Sequence, residues 1–332
     1  MTREPLAAAP ELRKRLLRMI PKALISIALL AMAFSSVDAA GAVSVLTALP
    51  AWAWLLGALL LVAQLPQLAL RWVLVLRASR LEIKYADAAT FTFIGYFFNQ
   101  VLPTSVGGDV MRAYLAWRGG IGFRPALTSV FLERASGMAL LVLFSFLLLR
   151  HPPVPLNYGF DHHDVLLLVG FVSILGMALV AGLARLTEGV QSENRAAQLL
   201  ADLGQQFQAL IAAKSILSAV VLLGATSAVT GACSVFLAAK VLGLPLDFYQ
   251  VLGITSLAIV LTVIPISVAG WGVREFVLIW LMTPLGVPPE TALGISIWFG
   301  LVSILAAIPG GLLWLKPGSA RQTNVLNGQG RR

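Results

Sequence analysis

The stretch Pro103-Thr104-Ser105-Val106-Gly107-Gly108-Asp109-Val110-Met111-Arg112 has a second copy in Pro265-Ile266-Ser267-Val268-Ala269-Gly270-Trp271-Gly272-Val273-Arg274. Both read Pro-x-Ser-Val-small-Gly-x-x-x-Arg, and both sit inside strongly apolar sequence. A proline removes an amide donor and clashes with the preceding turn, so the helix before Pro103 is expected to end near Val101. Gly107 and Gly108 permit a tight reversal, and a second half-helix is expected from about Asp109. The run Ala269-Gly270-Trp271-Gly272 does the same before Arg274. Irregular backbone at membrane depth is tolerated only where protein buries it or it lines a cavity. Matched breaks in two halves, each followed by an intramembrane Arg, point to a transporter-type binding site.

Composition agrees. Hydrophobic residues make up 58% of the 332-residue chain and charged residues only 12%, against roughly a quarter charged in soluble domains. Mean hydropathy is +0.87. The apolar stretches are long and lack the ten-residue alternation of barrel strands, so the fold class is all-α and polytopic. The formal net charge of +9 is concentrated in short loops between apolar segments, which is an orientation signal and argues against nucleic acid as a partner. Cys233 is the lone cysteine, which leaves no disulfide framework and no cysteine metal pair. Asp161-His162-His163-Asp164 lacks ligand spacing and reads as a solvated loop. No nucleophile elbow, phosphate-binding loop or metalloprotease motif occurs, so neither an enzyme nor a cofactor site is expected.

Reading outward with about 20 residues per span, a basic N-terminus (1–21) precedes a short first segment, 22–37, that has no convincing signal-cleavage site. Segments two to six fall at 49–76, 127–149, 165–184, 215–239 and 291–315. The two interrupted regions cover 86–117 and 248–285. Between 186 and 213, Ala196, Leu200, Leu203, Phe207 and Leu210 recur at three- and four-residue spacing, the pattern of an amphipathic helix on the membrane surface. The tail 316–332 reads as disordered and basic.

If each interrupted region is a re-entrant hairpin, every strongly basic loop falls on one side. Arg150 and Lys240 are then the only basic residues in the opposite loops. The expected architecture is about six full spans plus two broken-helix hairpins in an inverted-topology repeat. Repeat one covers 22–149 and repeat two covers 165–315, joined by an external loop at 150–164. Both termini face the cytoplasm, and the membrane is the cell's inner (cytoplasmic) one.

The candidate substrate-binding residues cluster at the breaks: Asn99, Ser105, Gly107, Gly108 and Arg112 in the first half, and Ser267, Gly270, Gly272 and Arg274 in the second. Helix starts offer free amides and a positive dipole end to phosphate or carboxylate. Arg adds a planar fork of donors. An ion pair is the equal alternative for each Arg, since Asp109 lies one turn before Arg112 and Glu275 lies beside Arg274. Asp109 also suits the helix dipole. Glu133 needs a partner because Arg134 beside it does not share its helix face, and Arg112 is the natural one. Asp109, Glu133, Arg134 and Glu275 are therefore the coupling or gating candidates. Arg71 reads as a structural residue snorkelling to the cytoplasmic surface.

Three runs carry a family resemblance: Phe97-Phe98-Asn99-Gln100-Val101-Leu102 leading into the first motif, Leu132-Glu133-Arg134-Ala135-Ser136-Gly137, and the second motif with Glu275. Together they resemble the lysylphosphatidylglycerol synthase transmembrane-region family, also called the flippase-like domain. In two-part members the domain moves an aminoacylated phospholipid between leaflets, and a cytosolic synthase domain follows. The resemblance here implies a stand-alone member without that domain. It implies a lipid translocase acting without ATP on a phospholipid or lipid-linked glycan. A membrane accessory protein serving a partner glycosyl- or aminoacyltransferase, and a small-anion transporter, are the alternatives.

Overall fold

The structure, a computed structural model, describes residues 39–102, 106–148, 182, 195–263 and 270–316. The segments expected at 22–37 and 165–184, the basic N-terminus, the loop 150–164, the tail beyond 316, both motif prolines, Ser105 and Ser267 lie outside these residues.

Every regular element among the described residues is helical. The α-helices are α1 (Ala39–Ala48), α2 (Ala51–Ala78), α3 (Tyr85–Val101), α4 (Gly107–Arg118), α5 (Phe123–Leu148), α6 (Arg195–Ala212), α7 (Lys214–Val241), α8 (Phe248–Val263), α9 (Val273–Met282) and α10 (Pro289–Leu315). Four of them, α2, α5, α7 and α10, are long and apolar enough to cross a membrane. The chain is an all-α, multi-pass membrane protein. Short α1 occupies what reads in the sequence as a loop, and it packs on α10.

The order long, short, short, long occurs twice. Helices α2 to α5 have 28, 17, 12 and 26 residues, and α7 to α10 have 28, 16, 10 and 27. Packing follows the same rule. Within the halves, α3 packs on α4 as α8 packs on α9, and α4 on α5 as α9 on α10. Between the halves the partners are exchanged: α3 packs on α10, while α8 packs on α5. Helices α2 and α7 pack on each other and run antiparallel. Ser234 Oγ donates to Gly57 O at 3.4 Å, Gln67 Nε2 donates to Thr230 Oγ1 at 3.4 Å, and Arg71 lies beside Gly224.

Helices in lipid cannot rely on a hydrophobic drive between them, so close backbone approach and dispersion carry the packing. At the α3–α4 crossing, a Cβ added to Gly108 would lie 1.8 Å from Gly95 O. At the α3–α10 crossing, a Cβ on Gly310 would lie 2.0 Å from Phe93 O. Trp298 is fully buried in the second half's core, edge-on to Trp54 with ring centroids 6.2 Å apart.

Helix α6 lies within the stretch read as amphipathic. Its Leu203 and Leu210 bury against Val75, Leu132 and Val220 of α2, α5 and α7. Polar bonds fix its register: Arg124 Nη1 donates to Gln198 Oε1 at 2.7 Å, and Gln206 Nε2 donates to Pro125 O at 3.2 Å.

Replacing Gly310 with Ala forces backbone apart at the α3–α10 crossing. Thermal unfolding in detergent is expected to show a loss of at least about 1–3 kcal/mol. An unchanged melting temperature would contradict the close approach.

Candidate functional site

The first break is shaped by α3 and α4. Helix α3 ends at Val101, as Pro103 requires, and α4 begins at Gly107, two residues before the start expected near Asp109. Asn99 caps the new helix, since its Oδ1 accepts the Gly108 amide at 2.8 Å. This amide is thereby committed within the protein and is not open to a ligand. The reading of Gly108 as an anion-binding amide is corrected accordingly; its missing side chain serves the close approach to Gly95. Gly107 similarly lies against Leu102, where a Cβ would come within 2.6 Å of Cδ1.

Beneath the break lies a cluster of buried ions. Glu133, on α5, is 1% exposed. Its Oε1 accepts from Arg71 Nε at 2.7 Å and also from Arg71 Nη2, while Oε2 accepts from Arg112 Nη1 at 3.0 Å. The Glu133–Arg112 pair is the one the sequence suggests. Arg71 is a correction: it does not snorkel to the surface but is 7% exposed and bonded to Glu133. Two glycines make its slot. A Cβ on Gly137 of α5 would lie 2.7 Å from Arg71 Nη2, and one on Gly224 of α7 would lie 3.1 Å from Nη1. Asp109 pairs with Arg134, and its other oxygen lies 3.9 Å from Arg112 Nη1.

Arg112 is the incompletely bonded member. It is 5% exposed, and its guanidinium carbon sits 4.6 Å from the centroid of the Trp72 ring. Stacking satisfies the face of the guanidinium but none of its in-plane N–H groups. Nε and Nη2 are buried without a hydrogen-bond partner.

The second break is built differently. Gly270 and Gly272 take φ of 82° and 90°, conformations that side-chain-bearing residues rarely adopt. Glu275 Oε2 accepts the Gly272 amide at 2.6 Å, so the carboxylate reaches back to cap the start of α9. Its Oε1 accepts from Arg274 Nη2 at 2.7 Å and from Ser296 Oγ at 3.0 Å. Arg274 Nε donates to Ser296 Oγ at 3.1 Å, and its guanidinium carbon lies 4.9 Å from the Trp271 ring centroid. The Gly272 amide is thus also taken, and the expectation that it faces a ligand is corrected.

A cavity of about 320 Å³ joins the two breaks. Arg71, Asp109, Arg112, Glu133 and Arg134 line it from the first half, and Arg274 lines it from the second. Asn99 also reaches it. The structure therefore brings together, around one space, charged residues separated by more than half the chain. Gly270 packs on Thr262, itself a lining residue, and Glu275 stands behind Arg274. Sequence reasoning missed Arg71, Trp72, Tyr96, Thr255 and Ser296 as parts of the site. An Arg inside a long apolar helix was the available signal for Arg71. The four uncharged ones look in sequence like any other packing residue. Among the described residues no group of three or more His, Cys, Asp or Glu could hold a metal ion.

Residues 19–310 match the family described as Lysylphosphatidylglycerol synthase TM region, and the chain belongs to that family. No curated protein matches it.

Glu133 keeps two buried guanidinium groups neutralised. Glu133→Gln is expected to destabilise by about 3–5 kcal/mol, the scale for stranding a buried charge. The Arg71→Met/Glu133→Gln double variant is expected to lose less than the two single variants together, because Arg71 no longer needs its counter-ion. Additive melting-temperature losses would contradict the pairing.

Proposed function

We propose that the protein is a lipid translocase that carries the polar headgroup of a phospholipid or lipid-linked glycan across the cytoplasmic membrane without ATP. The observation that carries this reading is Arg112: a buried guanidinium with two unpartnered N–H-bearing nitrogens, lining a cavity bordered by both helix breaks. A buried donor pair of this kind is costly unless a ligand completes it.

The reciprocal packing and the antiparallel α2–α7 pair support an inverted-topology repeat, the arrangement that lets one site open alternately to either side. Membership of a membrane lipid-related family supports lipid as the cargo. The cavity is at the small end for ligand pockets, about right for a headgroup and too small for acyl chains. Val101, Val106 and Val110 at the rim of the first break are exposed, giving acyl chains an apolar surface beside it. A small-anion transporter has no use for such a rim. The role read here is transport rather than chemistry, with membrane lipids as partners. The basic loops favour a cytoplasmic placement of both termini.

Leaflet exchange of labelled phospholipids in liposomes tests the proposal. The protein is expected to accelerate exchange, and Arg112→Gln to reduce it by about tenfold, the effect of one lost charge-assisted hydrogen bond. No acceleration across several headgroups would overturn it, and would leave the accessory-protein reading in its place.

A further inference from the structure

The charges around the cavity do not balance. Arg71, Arg112, Arg134 and Arg274 line it, and the carboxylates in contact with them are Asp109, Glu133 and Glu275. Among the described residues, four cations against three anions leave one positive charge over. The excess is local. Arg274 and Glu275 neutralise each other in the second half. In the first half three guanidinium groups share two carboxylates, and the unmet donors are Nε and Nη2 of Arg112. An uncompensated charge in a buried site is strongly unfavourable, so the site is completed by one negative charge.

The same inventory says what the site lacks. All three carboxylates already accept from arginines. Among the described residues, none lining the cavity is left to receive an ammonium group. The rest of the lining is largely apolar, with uncharged polar groups set in it. Gln64, Ser227, Thr255 and Ser303 are among these, and the Thr255 hydroxyl is buried with no partner. Such groups match the hydroxyls of a glycerol or a sugar, because each can donate and accept.

From this charge count and these unpaired groups we infer that the cargo headgroup is a singly charged phosphodiester bearing uncharged hydroxyls, and not one bearing an ammonium. The inference rests on the translocase reading for its setting and deepens it. It excludes aminoacylated and ethanolamine headgroups from this cavity, since either would place a cation beside an existing positive excess. The shared chemistry also fits a soluble glycerol phosphodiester, so lipid and soluble sources must be separated by experiment.

The test reads binding, so that it does not depend on transport. The purified full-length protein is equilibrated with an equimolar mixture of phosphatidylglycerol, phosphatidylethanolamine and lysylphosphatidylglycerol, and retained lipid is counted by native mass spectrometry. Phosphatidylglycerol is expected to be retained about tenfold over each of the others, the discrimination expected from one charge-assisted bond. Arg112→Gln is expected to abolish the preference. Thr255→Val, which leaves every ion pair intact, is expected to reduce it severalfold. Equal retention, a preference for either ammonium lipid, or a preference that survives both substitutions would overturn the inference. Competition by soluble glycerophosphoglycerol identifies the source: displacement at concentrations matching the lipid assigns the site to a soluble diester, and resistance assigns it to lipid. Selective retention without leaflet exchange would overturn the translocase reading and leave this one standing.

Discussion

Glu133 sits where two helices of the first half and the central helix α2 converge, and it is the fixed point of the site. Burying a carboxylate in an apolar interior costs several kcal/mol unless charge and hydrogen bonds compensate it. Here Arg71 takes one oxygen and Arg112 the other. The arrangement in turn favours glycine at position 137, where a methyl group would collide with the Arg71 guanidinium, and at position 224, where it would collide with Leu140 and crowd Arg71. It also places Arg112 against Trp72 with Nε and Nη2 buried and without a partner. Much of the first half's sequence is explained by the need to hold one acid between two bases within the bilayer.

The two halves share a plan but not an electrostatic outcome. In each, an Arg after the break stacks on a Trp and bonds to a Glu. The Glu differs in origin. In the first half it comes from the following long helix, and it is shared with a second Arg. In the second half it is the next residue, caps its own helix, and is satisfied by one Arg, one Ser and one amide. The first half keeps an unmet cation and the second does not. A common fold thus leaves an unmet cation at one break and a neutralised one at the other, around a single cavity.

The fold was largely legible from the chain alone. Among the described residues, long apolar segments and matched breaks gave four of the expected spans and both short pairs to within a few residues, because lipid imposes span length and backbone satisfaction on any sequence. Helix α1 escaped, since ten small and apolar residues, mostly alanine and valine, carry no period that distinguishes helix from loop. The site was legible only in part. Arg112 with Glu133 followed from helical facing. Arg71 did not, because its burial depends on glycines two helices away. The half-helix amides were misassigned for a related reason. Glu275 sits at capping distance in sequence from Gly272, whereas Asn99 reaches Gly108 from the preceding helix, nine residues away; a capping side chain and a ligand compete for the same donors, and only geometry decides between them.

The central claim is that an anion completes Arg112 inside the cavity. High-resolution cryo-electron microscopy of the protein in nanodiscs containing anionic phospholipid measures this directly. The account predicts headgroup density within hydrogen-bonding distance of Arg112 Nε and Nη2, with Glu133 still bridging Arg71 and Arg112. An empty cavity, or an Arg112 whose free nitrogens are bonded to the protein's own groups, would contradict it.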